Sequence, residues 1–162
     1  IFPVLLFYGF DGSATAIQKG KERLKKEDLE AELTVGDAIK INYPDAFFDC
    51  VVEMECLMGN GWEESKIIVK EIHRVLKNGG LFYSQTFSDK TYIGKKQEAV
   101  AKNTYREIND GHLGRKRLLR LTPEEDISEL YSDFATLEYD RYLLTCENRK
   151  YISEEWIITC TK

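Results

Sequence analysis

The first half of the chain alternates short apolar runs with amphipathic stretches. Short apolar stretches predict strands over residues 3–10, 31–35, 47–54 and 81–87, and the nearly continuous apolar run over residues 47–54 suits a parallel strand covered on both faces. Apolar residues at helical spacing, with charged residues between them, predict helices over residues 14–26 and 62–77. This order predicts an α/β fold with a doubly wound, mostly parallel sheet and right-handed crossovers.

The middle of the chain is more polar and less periodic. Residues 78–80 read NGG, which predicts a left-handed backbone end to the second helix. The charged stretch after the fourth strand predicts a further helix over residues 96–108, followed by a loop. No internal repeat is present, so these elements are expected to belong to one architecture rather than to an array.

The last part of the chain returns to regular patterns. Thr122 is predicted to cap a helix that has Pro123 at its first position and acidic residues in its first turn, and that runs to about Tyr131. Residues 134–144 and 151–161 alternate in polarity and predict two strands. Because they follow each other closely, we expect them to form an antiparallel pair at the edge of the sheet.

Composition narrows the classes of function. The chain has 162 residues, of which 43% are hydrophobic, and this predicts a single domain over residues 1–162. The formal net charge of −5 argues against nucleic acid or an anionic membrane as a partner. We therefore expect the chain to act on a small molecule or on a protein.

The cysteines and histidines argue against a metal site. Four cysteines and two histidines lack the spacing of a zinc site, and no CxxC pair is present. Such cysteines are typical of a reducing compartment, which predicts a cytoplasmic protein. The longest apolar run, residues 1–10, is too short to span a bilayer and lacks the basic flank of a signal peptide.

Acidic residues follow three predicted strands, at the edge where open α/β sheets bind ligands. Asp11 follows the first strand and either accepts hydrogen bonds from both hydroxyls of a ribose or belongs to a turn that caps the next helix. Asp37 follows the second strand and either accepts from the amine of an adenine or lies in a plain turn. Glu53 and Glu55 end the third strand, and they either hold an amine or are exposed to solvent.

The polar segment over residues 92–120 is long for a connection, and such segments often close over sites. It carries Tyr92, Tyr105 and His112. His112 has the chemistry of a general base, but we expect it to be a surface histidine. No catalytic residue is identified from the sequence.

Four stretches, in order, resemble the S-adenosylmethionine (SAM)-dependent methyltransferases that have a Rossmann-like seven-stranded sheet. Residues 9–13 read GFDGS, as at the end of the family's second strand. Residues 36–38 read GDA and residues 47–52 read FFDCVV, as in the family's adenine-side stretch. Residues 71–80 read EIHRVLKNGG, close to the family pattern E-x-x-R-V-L-K-P-G-G with Asn78 in place of proline. The resemblance covers nearly the whole chain.

The resemblance implies SAM, or its product S-adenosylhomocysteine (SAH), as the cofactor. It implies that Asp11 holds the ribose, that Asp37 holds the adenine, and that Glu53 and Met54 face the sulfonium end of the cofactor. The full set of implied cofactor contacts is Asp11, Gly12, Asp37, Ala38, Ile39, Glu53 and Met54.

The function that follows is methyl transfer from SAM to a small-molecule or protein acceptor. The alternative is a non-catalytic methyltransferase-like module with a binding or regulatory role. A dehydrogenase is disfavoured because the chain has no G-x-G-x-x-G sequence.

The family's first strand and its glycine-rich loop have no counterpart before Asp11. We therefore expect an N-terminally incomplete, truncated domain in which the first family strand is missing. The strands over residues 3–10 and 47–54 would then have open edges, which invite pairing with another chain. A homodimer, or a strand swapped from a second copy, is expected to cover those edges.

Overall fold

A computed structural model of the chain describes residues 5–95, 97–114 and 116–162. The chain divides into two compact units, Ile1–Asn42 and Tyr43–Lys162. Three separate hydrogen-bonded sheets are present in the described part of the chain, one in the first unit and two in the second.

The first unit is a strand, a helix and a second strand. Strand β1 (Tyr8–Asp11) pairs in parallel with strand β2 (Glu32–Val35), and helix α1 (Ala14–Lys26) connects them. The predicted bounds of α1 are confirmed, because the side chain of Ser13 caps the helix by accepting from the Ala16 N–H. β1 begins later than predicted, and the start of that prediction, residues 3 and 4, lies outside the described residues.

The second unit contains a four-stranded mixed sheet. Its strands are β3 (Phe48–Met54), β4 (Leu76–Phe87), β8 (Thr136–Cys146) and β9 (Tyr151–Thr161). Their order is β3-β4-β9-β8, with β3 and β4 parallel and the other two pairings antiparallel. The predicted antiparallel pair at the C-terminus is therefore confirmed, although β8 begins and ends two residues later than predicted.

Helix α2 (Trp62–Val75) connects the two parallel strands, after a short 3₁₀ turn at Leu57–Gly59. Its apolar stripe is buried, and the buried side chains of this stripe are Ile68, Val69, Ile72 and Val75. The burial of one continuous face is what its sequence spacing predicts. The helix therefore packs through the residues that the pattern selected.

The end of α2 differs from the prediction. The helix stops at Val75 rather than at residue 77, and Leu76 is already the first residue of β4. The register against β3 shifts between the Phe48–Leu76 pair and the Cys50–Leu81 pair, so residues 77–80 form an irregularity within the strand. Gly79, with φ of +75°, serves this irregularity and not a helix cap. The buried Leu76 side chain accounts for the early start of the strand.

The helix predicted over residues 96–108 is wrong; within that range, Lys96 lies outside the described residues. The chain instead forms strands β5 (Ala99–Ala101) and β6 (Thr104–Arg106), which pair with β7 (Leu118–Arg120) in an antiparallel sheet. This sheet contributes to a core cluster made of Met58, Phe87, Ile108, Leu113, Leu119 and Leu121. Packing against that cluster decides the local structure, because the segment has little periodicity of its own.

Helix α3 (Glu124–Leu130) begins one residue later than predicted. Pro123 takes the cap position, without a side-chain cap bond, and three acidic residues fill the first turn as expected. Thr122 is not the cap, because it forms a parallel bridge with Ser88 and its carbonyl accepts from the indole N–H of Trp156 at 2.8 Å.

All four cysteines are free thiols. Within the described residues, no helix is both long enough and apolar enough to cross a membrane. Over the same residues, no group of three or more histidine, cysteine, aspartate or glutamate side chains is arranged to hold a metal ion.

Candidate functional site

Asp11 lies at the carboxyl end of β1, in the turn that leads into α1. Its Oδ1 accepts from the backbone N–H of Ser13 at 2.7 Å, so the carboxylate helps to shape the turn. Its Oδ2 accepts no hydrogen bond from the described residues, and the side chain is exposed. The turn and ligand interpretations of Asp11 are therefore compatible, because one oxygen serves the turn and the other is available.

Asp37 lies directly after β2, beside the Asp11 turn. Its Oδ1 accepts from the Ile39 N–H at 3.0 Å, and its carbonyl accepts from the Lys40 N–H at 3.1 Å. The backbone N–H of Gly36 donates to the Asp11 carbonyl at 3.1 Å. Parallel pairing of β1 and β2 thus brings the two turns together at one edge of this sheet.

The remaining predicted contacts of this unit lie in the same two turns. A Cβ atom added at Gly12 would approach the Gly36 carbonyl oxygen to 3.8 Å, which is ordinary van der Waals contact. Ala38 is half-buried and Ile39 is exposed. Gly12, Asp37, Ala38 and Ile39 therefore lie in the same two adjoining turns as Asp11.

Glu53 belongs to the second unit, at the carboxyl end of β3, and its carboxylate is buried with 6% exposure. Oε1 accepts from the backbone N–H groups of Cys56 at 2.5 Å and Leu57 at 2.9 Å, while Oε2 accepts from the Ser84 hydroxyl at 2.6 Å. Burial raises the pKa of Glu53, whereas these hydrogen bonds and the positive charge of Arg120 oppose that rise. The carboxylate therefore organises the turn that follows β3.

Met54 points away from Glu53, as successive strand residues do, and it is 61% exposed. Glu55, the next residue, has φ of +60°, a backbone region that non-glycine residues seldom adopt. Its N–H still pairs with the Gln85 carbonyl at 2.9 Å. The chain thus turns sharply at the end of β3 and leaves the Met54 side chain accessible.

A buried polar layer continues from Glu53 into the rest of the second unit. The Ser84 hydroxyl bonds both to Glu53 and to the Tyr131 hydroxyl, at 2.6 and 2.9 Å. Burial strongly raises the pKa of Tyr131, which is therefore a neutral hydroxyl at physiological pH. Arg120, also fully buried, attracts the Glu53 carboxylate electrostatically.

Sequence reasoning did not select Arg120 or the neighbouring Trp62. The Arg120 guanidinium carbon lies 5.7 Å from the centre of the Trp62 ring, and the Lys102 ammonium lies 4.1 Å from the same centre. A signal for Arg120 was present, because residues 118–121 read LLRL and place one charge inside an apolar run. Trp62 carried no comparable signal.

His112 is half-buried rather than a surface histidine, so that expectation is wrong. Both of its ring nitrogens are buried without a hydrogen-bond partner among the described residues. Tyr92 lies elsewhere in the unit, stacked on Tyr151 with ring centres 4.6 Å apart, and donates to Asp110 at 2.9 Å. These residues do not join the layer around Glu53 through any hydrogen bond of the described structure.

The stretch with the most specific sequence pattern proves to be structural. The Arg74 guanidinium donates through Nε and Nη2 to both carboxylate oxygens of Glu71, at 2.8 and 2.9 Å. Its Nη1 also donates to Asp45 at 2.7 Å and to the Tyr43 carbonyl at 2.9 Å. The pattern thus ties α2 to the turn that precedes β3.

Comparison with known families gives one direct result. The model of the methyltransferase domain matches residues 3–84, about half of the chain, and this range includes all seven predicted cofactor contacts. The chain belongs to the SAM-dependent methyltransferase family. Its α/β, Rossmann-like fold class is thereby confirmed, as is the family resemblance that the motifs indicated.

Individual relatives support the family assignment, but the matched stretch covers only part of each relative. A demethylmenaquinone methyltransferase of Geobacillus sp. (strain WCH70) is 33% identical over 94 residues, which are 56% of this chain and 38% of that relative. The demethylmenaquinone methyltransferase of Geobacillus stearothermophilus is 31% identical over a stretch of the same length. The matched stretch is thus well under half of these curated relatives.

Solved structures show the same fold. A protein of Pyrococcus horikoshii OT3 superposes with a TM-score of 0.74 at 21% identity, covering 96% of this chain and 71% of that one. A SAM-dependent methyltransferase of Methanosarcina mazei superposes with a TM-score of 0.73 at 22% identity, covering 95% of this chain and 81% of that one. At these identities, the similarity establishes the methyltransferase fold alone.

Proposed function

We propose that the protein transfers a methyl group from SAM to a small-molecule acceptor. The observation that carries this proposal is the family match over residues 3–84, which contains the two aspartate turns of the first unit. SAM supplies an already activated methyl group on a sulfonium, so the protein mainly has to hold and orient two reactants and exclude water.

The residues of the first unit suit the nucleoside part of SAM. Asp11 has one exposed carboxylate oxygen free, and carboxylates are good acceptors for ribose hydroxyls. Asp37 lies in the adjoining turn, where its carboxylate can accept from the adenine amine, beside the apolar side chain of Ile39. Met54 and Glu53 belong to the second unit, and their contact with the cofactor stays a prediction.

The acceptor class is proposed from the relatives. They are named for demethylmenaquinone, which favours a small-molecule acceptor over a protein for this chain. Their shared stretch covers 38% of the Geobacillus sp. protein, so demethylmenaquinone itself is a first compound to test rather than an assigned substrate.

We also propose that the two compact units belong to one methyltransferase domain spanning residues 1–162. The family match runs from residue 3 to residue 84 and so crosses the boundary between Asn42 and Tyr43. A single cooperative thermal transition, seen by both circular dichroism and tryptophan fluorescence, is expected. Two separate transitions would contradict this assignment.

Open strand edges support a further proposal about assembly. β1 pairs only with β2, and β3 pairs only with β4, among the described residues. Within the described part of the chain, each of these two strands has one edge without a strand partner, which a second copy is able to cover by pairing or by strand exchange. Light scattering after size exclusion is expected to show a dimer, and a monomer over the full concentration range would contradict it.

A cytoplasmic location is proposed on chemical grounds. All four cysteines are free thiols, and persistent free thiols are typical of reducing compartments. Fractionation of cells that express the native protein tests this location directly.

The cofactor proposal is tested by titrating the chain with SAH in a calorimeter. Asp11→Asn and Asp37→Asn each keep an oxygen for the turn hydrogen bond but remove the charge, so they isolate ligand binding from folding. Each is expected to weaken binding by about 10- to 100-fold, the usual effect of losing a charge-assisted hydrogen bond. Asp28→Asn is the matched control, because Asp28 follows the C-terminal end of α1, away from both turns.

Saturable binding that only the first two substitutions weaken supports the proposal. Binding that is unaffected by either one rejects the assigned cofactor site. A wild-type chain that binds no SAH rejects cofactor binding by these 162 residues.

A further inference from the structure

Arg120 is a buried cation with unused hydrogen-bonding capacity. It is the last residue of β7, it is 0% exposed, and both of its sequence neighbours are buried leucines. Its Nη1 donates to the Thr122 hydroxyl at 3.2 Å, but its Nε and Nη2 have no partner among the described residues. A buried charge is costly unless it is paired and hydrogen-bonded, so these two donors require an explanation.

The two nearby carboxylates do not supply the missing partner. Asp126 and Glu53 attract Arg120 electrostatically, but neither is hydrogen-bonded to it in the described structure. Asp126 is bonded to Lys102 through Oδ1 at 2.9 Å and to Asn103 through Oδ2 at 3.2 Å. Glu53 uses both oxygens for Ser84 and the turn after β3. Each carboxylate of the cluster is therefore committed to other donors.

Arg120 lies close to the carboxyl end of β4. Thr122, two residues further on, donates its N–H to the carbonyl of Phe87, the last residue of β4, at 2.8 Å. Arg120 is thus held next to the carboxyl end of a parallel strand, the edge at which open α/β sheets bind ligands. Arg120 belongs to the connection over residues 88–123, which links the end of β4 to the start of α3. This connection is the longest among those that link the strands of the four-stranded sheet and α3.

The surroundings suit a planar anion. Trp62 lies beside the guanidinium, and the ammonium groups of Lys102 and Lys66 lie 4.1 and 5.7 Å from the centre of the same ring, so three cations surround one indole. Thr86 follows Ser84 at a spacing of two on β4 and hence lies on the same face, and its hydroxyl is buried without a partner in the described residues. The cluster therefore offers the Arg120 guanidinium beside an aromatic surface.

We propose that Arg120 binds a carboxylate group of the methyl acceptor through its Nε and Nη2 edge. These two N–H groups point in parallel and match the two oxygens of a carboxylate, the geometry for which arginine is preferred over lysine. This inference rests on the proposed methyl transfer and specifies the acceptor as a small carboxylic acid, in place of demethylmenaquinone, which has no carboxylate. Arg120 and Trp62 are then specificity-determining residues.

Sodium acetate is the probe, because it carries the carboxylate alone. The Nε–H signals of the 15N-arginine-labelled wild-type chain are followed by NMR during titration with acetate, with sodium chloride at equal ionic strength as the reference. The Arg120 signal is assigned by its loss in Arg120→Lys. We expect this signal to shift saturably with acetate and not with chloride. The acetate concentration that gives half of the full shift is then the dissociation constant of a single site.

A matched variant controls for nonspecific effects on arginine. Arg141 lies over Trp156 at 5.8 Å, as Arg120 lies beside Trp62, but its side chain is 59% exposed. Arg141→Lys is expected to leave acetate binding unchanged. Arg120→Lys keeps the charge and loses the two-donor edge, and it is expected to weaken acetate binding by about tenfold or more.

The melting temperature is a second measurement, and it does not depend on assigning the Arg120 NMR signal. Acetate is expected to raise the melting temperature of the wild-type chain and of Arg141→Lys relative to chloride, by mass action on the folded state, but not that of Arg120→Met. If Arg120→Met fails to fold, the NMR titration of the wild-type chain alone decides the question.

The outcomes separate this inference from the proposed function. An Arg120 signal that ignores acetate overturns the inference, and SAH binding measured on the same sample shows whether the methyltransferase proposal stands. Equal shifts with acetate, inorganic phosphate and chloride mean an adventitious ion only, which also overturns it. A response to phosphate in place of acetate overturns the carboxylate assignment. A selective acetate response with unchanged SAH affinity in Arg120→Lys supports it.

Discussion

Two carboxylates at the ends of parallel strands behave in opposite ways in this molecule. Asp11, after β1, is exposed and uses one oxygen for a single backbone hydrogen bond in its turn. Glu53, near the end of β3, is buried and uses both oxygens for three hydrogen bonds. Asp11 is thus the better candidate for ligand binding, because its Oδ2 accepts no hydrogen bond from the described residues, whereas Glu53 has a supporting role.

The largest expected effect is the loss of Glu53. Glu53→Ala removes the acceptor for the Ser84 hydroxyl and for two backbone N–H groups, and it removes the negative charge near Arg120. We therefore expect the free energy of unfolding to fall by about 3–5 kcal/mol. Urea unfolding followed by circular dichroism measures this loss. Asp49→Ala is the control on the same strand. The Asp49 side chain is 85% exposed, so its ion pair with Lys77 should contribute less than about 1 kcal/mol. Equal losses in the two variants would contradict the supporting role of Glu53.

The next effect is the pH dependence that Glu53 confers. Burial raises its pKa above the ordinary value of 4.5 in the folded chain, so proton uptake favours the folded state. This stabilisation is fully present below pH 4.5 and is lost as the pH rises through the folded pKa. Relative to Glu53→Gln, the wild-type chain should therefore lose stability as the pH is raised above 4.5, by at most about 1.4 kcal/mol per pH unit. A difference that is constant with pH would show that Glu53 does not titrate with a raised pKa.

A smaller effect concerns the turn that carries Asp11. The Ser13 hydroxyl accepts from the Ala16 N–H at 3.3 Å and caps α1, so Ser13→Ala is expected to cost about 1 kcal/mol in thermal or urea unfolding. Thr15→Ala is the matched control in the first turn of the same helix, where alanine favours the helix and should stabilise it slightly. Destabilisation by both variants alike would mean that the cap itself is not the source.

The smallest effect on stability is expected for Asp11→Asn. The amide oxygen can still accept from the Ser13 N–H, so the free energy of unfolding should change by less than about 0.5 kcal/mol while SAH affinity falls. Asp11→Ala, which also removes the turn hydrogen bond, should be the less stable of the two. If Asp11→Asn were as unstable as Asp11→Ala, the contrast with Glu53 would fail, because both acids would then be mainly structural.

Most of the regular framework was readable from the sequence. α1 has its predicted bounds, and α2, the parallel strands and the C-terminal pair differ by a few residues at their ends. In these elements one period of apolar residues coincides with one buried face, so the local pattern and the packing agree. The failures are at residues 78–80 and 96–108, where glycine serves a strand irregularity and where weakly periodic residues pair as strands.

The candidate site, like the fold, was predictable only in part. The turns with Asp11 and Asp37 were predictable, because acids that follow parallel strands must lie at one sheet edge. The direction of the Glu53 side chain was not, because it depends on Ser84, which lies 31 residues away in sequence. The burial of Arg120 was not predictable either, because the adjoining backbone is fixed by the distant Phe87 carbonyl, which accepts from the Thr122 N–H.

The sequence by itself determined the family, the order of most strands and helices, and the acidic turns at the ends of β1 and β2. These follow from short-range features: periodicity, turn residues and motif order. Only the tertiary structure decided which carboxylate is enclosed and where the 99–120 segment folds into strands. It also decided that Arg120 is buried with two nitrogen donors that have no partner among the described residues. Burial and hydrogen-bond partnership arise between distant residues, and no local pattern contains them.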